Sequence, residues 1–263
     1  MELWQWQPWQ GQSFLTCTLL QPWPHGFFTR NGWPQTPESL TQALDTEAAV
    51  QRVKQVHGNR VVTPRDIAQG TTHPSTRQPR LEADALVSDA PRQSLWVCSA
   101  DCSPVLIGDR STGQTAAIHA GWRGTARKVV PQTIAKMQNQ GSRLKDLVVA
   151  IGPAIAGSVY QVSTAVAAEV GRTIAPDNHL TTEDEALVIA LQAIEGSPLE
   201  YDPEPGKVRL DVRQVNIWQL HHLGLSREQV SVAPHCTFQE PERFFSYRRT
   251  GEKQVQWSGI VSR

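Results

Sequence analysis

The chain has 263 residues, 25 basic and 25 acidic side chains, a formal charge of zero and four cysteines. This balance excludes a bulk electrostatic match to nucleic acid or to an anionic membrane surface. No apolar run approaches the ~20 residues needed to span a bilayer. The start, MELWQWQPWQGQ, lacks a basic-then-apolar secretory pattern, and so few cysteines in so long a chain predict reduced thiols in a cytoplasmic protein.

The length suits one large domain over 1–263, and neither an internal repeat nor a clean boundary divides it. Residues 1–22 are rich in Trp and Gln and read as an N-terminal edge segment, with a first strand over 13–20. The stretch 25–32 follows, an aromatic strand ending in a polar turn with Arg30 at its tip. Residues 34–41 read as loop and 46–53 as a short helix, although its apolar spacing is weak. His57 follows Gln55-Val56 and precedes a Gly-Asn turn, which puts it at a strand or turn end. Residues 63–80 are rich in Pro, Thr and Arg and read as an exposed, mobile loop. A strand over 82–88 leads into the segment that organises the rest.

That segment, 95–124, reads LWVCSADCSPVLIGDRSTGQTAAIHAGWRG: three short apolar runs divided by turn residues, then a helix start. The turn at 108–113 reverses the chain, so Cys102 and His119 are expected together at the far end of the sheet. Thr125 reads as the cap of an amphipathic helix carrying Val130, Ile134 and Met137, while Pro131 predicts a kink or a later start. A buried strand is expected over 147–151, helices over 164–174 and 185–193, and a strand running into a helix from 208 to about 223. A last strand at 231–233 and a C-terminal hairpin from 244 to 261 complete the reading.

A thiol and two imidazoles at turns, His57, Cys102 and His119, match the one-Cys, two-His count of a catalytic zinc with one open position. Their spacing lacks the local grammar of a specific metal motif, and buried thiols and hydrogen-bonded histidines are the structural alternative. Cys102 with His119 as nucleophile and base is the rival chemistry, with Asp101 either orienting an imidazole, acting as acid or base, or simply forming the turn. The glycines of 119–124 would admit an anion, with Arg30, Arg123 and Arg248-Arg249 as candidate phosphate contacts. Trp122, Phe28 and Phe245 are candidates to stack on a flat base or to fill the core.

The segments GFFTR, QVHG, ADALVS, ADCSPVLIGD, AAIHAGWRGT, AIGPAI with VYQV, LDVRQVN, and CT with FFSYRR occur in this order. They resemble the YfiH family, also called the laccase-domain or multicopper polyphenol oxidase-like family, to which the human FAMIN protein belongs. The resemblance runs from about Gly26 to the C-terminus. It implies an α/β single domain, a mixed β-sheet core sandwiched by helices in a layered fold like that of cytotoxic necrotizing factor. It also implies zinc held by His57, Cys102 and His119, with copper as the other metal, and substrate contacts from Arg30, Gln55, Arg123 and Arg248.

The implied activity is phosphorolysis of adenosine, inosine, guanosine and methylthioadenosine to base and ribose 1-phosphate, with deamination of adenosine to inosine. Purine nucleoside and phosphate are the implied partners, and the chain is expected as monomer or homodimer. Phenol oxidation, editing of peptidoglycan precursors, Cys–His hydrolysis and non-catalytic binding are the other readings, although eight histidines are few for a multicopper enzyme. Two departures stand out. NGWPQTPESLTQALDTE replaces a longer family segment after Arg30, and Ala154 stands where many members carry Cys.

Overall fold

The computed structural model describes residues 3–70, 80–176 and 181–263. In chain order, β1 (Trp4–Trp9), β2 (Gln12–Cys17) and β3 (His25–Phe28) precede α1 (Pro37–Leu40), β4 (Ala49–Arg52), β5 (Val61–Val62), α2 (Pro64–Gly70) and β6 (Ala85–Val87). The middle of the chain forms β7 (Gln93–Ser99), β8 (Ser103–Asp109), β9 (Thr115–Ala120), α3 (Trp122–Ala126), α4 (Val129–Asn139) and β10 (Leu147–Ile151). The remainder forms β11 (Gln161–Ser163), α5 (Thr164–Gly171), α6 (Asp184–Gln192), β12 (Leu199–Tyr201), β13 (Lys207–Leu210) and α7 (Val212–His222). β14 (Val230–Val232), α8 (Tyr247–Thr250) and β15 (Gln256–Val261) close the chain.

The expected α/β class and mixed sheet core hold. The core resolves into two six-stranded sheets, ordered β1-β2-β3-β15-β7-β4 and β14-β10-β8-β9-β6-β5. They pack face to face through Leu15, Phe27, Leu95, Val97 and Ile260 of the first, and Leu86, Leu106, Ala117 and Val148 of the second. The outer face of the second sheet, with Val105, Ile107 and Ile118, is covered by Val130, Ile134 and Met137 of α4 and Leu220 of α7. β8 is therefore buried along its whole length, which explains its unbroken apolar run. A small sheet, β11-β13-β12, packs with α5, α6 and α7 around a separate cluster.

Several expectations give way to other packing. The 46–53 helix is instead β4, paired parallel to β7 from Ala49↔Gln93 to Arg52↔Trp96, with Val50 against the Phe28–Trp96 cluster. The stretch expected as an exposed loop at 63–80 begins with α2, whose Asp66 exchanges hydrogen bonds with Thr63, while 71–79 lie outside the described residues. The 34–41 loop carries α1, which has Pro37 in its first turn. The C-terminal hairpin is absent, because β15 inserts between β3 and β7. The preceding chain is instead tied down by Arg249, whose guanidinium donates to the carbonyls of Thr237, Phe238 and Phe244.

At the end of β9, Gly121 rather than Thr125 caps α3. Thr125 is buried inside that helix, its hydroxyl accepting from Asn216. The backbone then turns left-handed at Lys128, with φ of 59°, and α4 starts afresh with Pro131 in its first turn. Proline is harmless there because its missing N–H has no helical acceptor. Trp4–Trp9 pairs with β2 at the sheet edge, through a turn whose Gln10 and Gly11 both have positive φ. Such turns match the twist of paired strands.

Candidate metal centre

β8 and β9 pair antiparallel from Ser103↔Ala120 to Gly108↔Thr115, so Cys102 and His119 meet at the end opposite the 108–113 turn. The 56–58 turn brings His57 to the same place. Ligand atoms of His57, Cys102 and His119 all lie within 4.8 Å of one another, and the two imidazoles meet edge-on with ring centres 4.8 Å apart. His119 is buried, Cys102 partly so and His57 exposed, so the cluster opens to solvent on the His57 side.

One residue that the motif reading passed over organises this cluster. Asp84, fully buried, accepts hydrogen bonds from the backbone N–H groups of Val56, His57 and Gly58 at 3.2, 2.9 and 2.7 Å. The same carboxylate meets Nδ1 of His119 at 2.9 Å. Three successive amides wrapped on one carboxylate form an anion nest, which fixes a turn in which His57 has φ of 59°. Donation by Nδ1–H leaves Nε2 of His119 as the ring's free donor atom toward Cys102. This is the carboxylate–histidine arrangement typical of metal ligands. Its only sequence signal was an Asp entering an otherwise apolar strand.

The electrostatics favour a thiolate. Burial pushes the Cys102 thiol up, but His119 and His57 outweigh it and bring the pKa from an ordinary 9.0 down to about 6. Burial likewise disfavours charge on His119, while Cys102 and Asp84 overcome it and lift the ring to about 9. Burial also opposes ionisation of Asp84, yet His119 and the Gly58 N–H hold it below the usual carboxylate value. A sulfur anion and two imidazole nitrogens, one locked by a carboxylate, suit zinc in its usual S/N coordination. Glycine is required at 121, where a Cβ would lie 2.7 Å from the Cys102 sulfur.

The other candidates are distributed unevenly. Asp101, at φ of 90°, is not a free acid. One carboxylate oxygen accepts from the Thr237 hydroxyl, the other from the Arg248 N–H, both at 2.7 Å. Its carbonyl also accepts from Ile155 N–H, so Asp101 ties three loops together. Both ends of the Gln55 amide are engaged by the Cys98 backbone at 2.8 Å, so it anchors the strand end and presents no free group. Arg30 donates to the Pro241 carbonyl and lies 4.8 Å from the Phe245 ring centre. Phe28 and Phe245 are buried, which removes both as exposed stacking surfaces. Arg249, as above, holds backbone.

Arg123 and Arg248 remain at the centre. Arg123 stacks 4.4 Å over Trp122, and Arg248 stacks 4.6 Å over Tyr160 while donating to the Gln161 carbonyl. Burial and Cys102 raise the Tyr160 phenol to about 12 against the opposing pull of Arg248 and Arg123.

Residues 35–262 match the family model described as multi-copper polyphenol oxidoreductase laccase. The chain belongs to this family. A Synechocystis relative named a purine nucleoside phosphorylase is 54% identical over 261 residues, covering 99% of this chain and 98% of its own. A Haemophilus influenzae protein of the same name is 32% identical over 223 residues, covering 84% of this chain and 72% of that one. Among solved structures, YfiH of Bacillus licheniformis is 26% identical with a TM-score of 0.75, covering 95% of this chain and 96% of its own. YlmD of Geobacillus stearothermophilus, 24% identical, shares the fold with a TM-score of 0.79 over 98% of each chain. No helix of the described residues is long and apolar enough to cross a membrane.

Proposed function

We propose that this laccase-domain protein is a purine nucleoside phosphorylase working at a zinc centre held by His57, Cys102 and His119. The observation that carries the reading is the buried carboxylate of Asp84, which fixes both histidine-bearing segments on one thiolate. The names of the relatives supply the substrate class. Adenosine, inosine, guanosine and methylthioadenosine are the nucleosides assigned, with deamination of adenosine as a second activity. When bound, zinc supplies a Lewis-acidic charge with one coordination position open.

The chain's own groups do the rest. In phosphorolysis a phosphate oxygen bonds C1′ as the N-glycosidic bond breaks, and the base departs with the bonding pair and takes up a proton. Asp84 holds His119 in one tautomer, and Asp101 holds the 99–104 turn that presents Cys102. Arg123 and Arg248 have guanidinium groups that meet no carboxylate among the described residues, and they are assigned to the anionic substrate.

A second reading has one specific observation behind it. Asp84, His119 and Cys102 form a carboxylate–imidazole–thiolate line like that of a cysteine hydrolase. The second imidazole on the same sulfur favours the metal, since a nucleophile needs only one base. Copper oxidation of phenols is the less supported reading, because a single group of three metal-ligating side chains is found among the described residues. Imidazole and thiolate do bind copper well, so slow oxidation follows from mismetallation.

The test is to incubate zinc-loaded protein with adenosine, inosine or methylthioadenosine, with and without phosphate, and separate the products. Free base that appears only with phosphate is expected, with inosine forming from adenosine regardless of phosphate. Nucleosides left untouched by fully metallated protein would defeat the proposal.

A further inference from the structure

Two aromatic residues beside the metal centre are only half-buried, and each carries a guanidinium on its face. Trp122 and Tyr160 both pack against the cluster formed by β11–β13, α5, α6 and α7. Arg123 lies over the first ring at 4.4 Å and Arg248 over the second at 4.6 Å. Stacking on a fixed ring restrains a long side chain before any ligand arrives, which lowers the entropy lost on binding. Arg248 is restrained twice more, through its guanidinium on the Gln161 carbonyl and its N–H on the Asp101 carboxylate.

Neither guanidinium meets a carboxylate among the described residues, although most acidic side chains nearby are engaged elsewhere. Asp84 is taken by His119 and three amides, Asp101 by Thr237 and Arg248 N–H, and Asp211 by Arg213. Two cations without a carboxylate partner among the described residues therefore lie on two rings that pack against the same hydrophobic cluster. The Tyr160 hydroxyl makes no hydrogen bond to any described residue, and its ring lies under Arg248, whose N–H is held by the carboxylate of Asp101 next to Cys102. A phenol that keeps its proton is a donor, and two guanidinium forks with one O–H form a donor set suited to a tetrahedral oxyanion.

We propose that Tyr160, with Arg123 on Trp122 and Arg248 on its own ring, forms the subsite that holds the phosphate co-substrate, the Tyr160 O–H donating to a phosphate oxygen. This rests on the phosphorylase reading above, and it makes Tyr160 a substrate-binding residue. The subsite recognises inorganic phosphate and not the nucleoside, so its loss is expected in one Michaelis constant only.

The experiment uses zinc-loaded wild-type protein and Tyr160→Phe, with inosine and inorganic phosphate varied separately. A hydrogen bond to a charged group is worth enough to raise the KM for phosphate about ten-fold or more on its removal. The KM for inosine and the zinc content are expected to be unchanged. Inorganic phosphate alone should raise the melting temperature of wild type and raise that of Y160F less.

An unchanged phosphate KM in Y160F, or a rise confined to inosine, overturns the proposal. Should Y160F lose zinc or melt early, Arg123→Gln carries the test, because that side chain is exposed and only stacks on Trp122. An unchanged phosphate KM there overturns the subsite equally. Wild-type protein that releases no hypoxanthine under any phosphate concentration defeats the phosphorylase reading instead. Phosphate stabilisation that is lost in Y160F would then still uphold the anion subsite.

Discussion

The two sides of the centre are built on opposite principles. The ligand side is over-determined, since one fully buried carboxylate satisfies three amides and a buried imidazole. The rim side is exposed and under-committed, with Arg123 and Arg248 held by ring faces and a carbonyl rather than by counter-charges. Buried polar groups are costly to leave unpaired, whereas exposed ones are not. Substitution on the ligand side should therefore cost fold and metal together. On the rim it should cost function alone.

The sharpest way to break this contrast is Asp84→Ala. It strands three turn amides and a buried imidazole, and a loss of about 3–5 kcal/mol in stability is expected, together with loss of tight zinc binding. Denaturant unfolding and metal analysis check both, and normal stability with full zinc would erase the distinction. Asp101 comes next. Asp101→Ala removes two short hydrogen bonds and should cost about 2–3 kcal/mol. Asp101→Gly should fare better than Ala by about 1 kcal/mol despite its flexibility, because φ of 90° suits glycine and strains alanine. Equal stability of the two variants would mean that the turn is not strained.

The pH dependence of metal-free protein sharpens the ligand side further. The folded pKa of Cys102, about 6, lies below its ordinary value, so its contribution fades as pH falls through 6. That of His119, about 9, lies above its ordinary value, so its contribution fades as pH rises through 9. Because the Cys102 contribution grows from pH 6 to 9 while that of His119 shrinks from 6.5 to 9, the two offset one another, and the stability of the metal-free protein should change little between about 6.5 and 9. Urea midpoints measured across that range decide it. The smallest effect belongs to the rim, where Arg123→Gln should leave stability within about 0.5 kcal/mol of wild type by thermal melting.

What the sequence discloses follows the same division. Cys102 and His119 were readable as neighbours because the turn at 108–113 fixes an antiparallel pair, and a reversal of chain is local information. Asp84 was not readable, since its role depends on a turn 26 to 28 residues earlier folding onto it. The partners of Asp101 were unreadable for a related reason, because they come from the far C-terminal part of the chain. Among the elements, β8 and β10 declared themselves as unbroken apolar runs, while β1 hid behind alternating Gln and an edge-tolerated Pro8. β4 was mistaken for a helix because a four-residue strand carries almost no periodicity and is specified by its partner β7.

The most direct test of the central claim is the zinc content of the purified protein beside that of Cys102→Ala, read by mass spectrometry after dialysis, with phosphorolysis of inosine measured on the same samples. One zinc per chain with turnover in wild type, and neither in C102A, is the predicted result. Phosphorolysis undiminished in C102A, or in wild type stripped of metal, would contradict it.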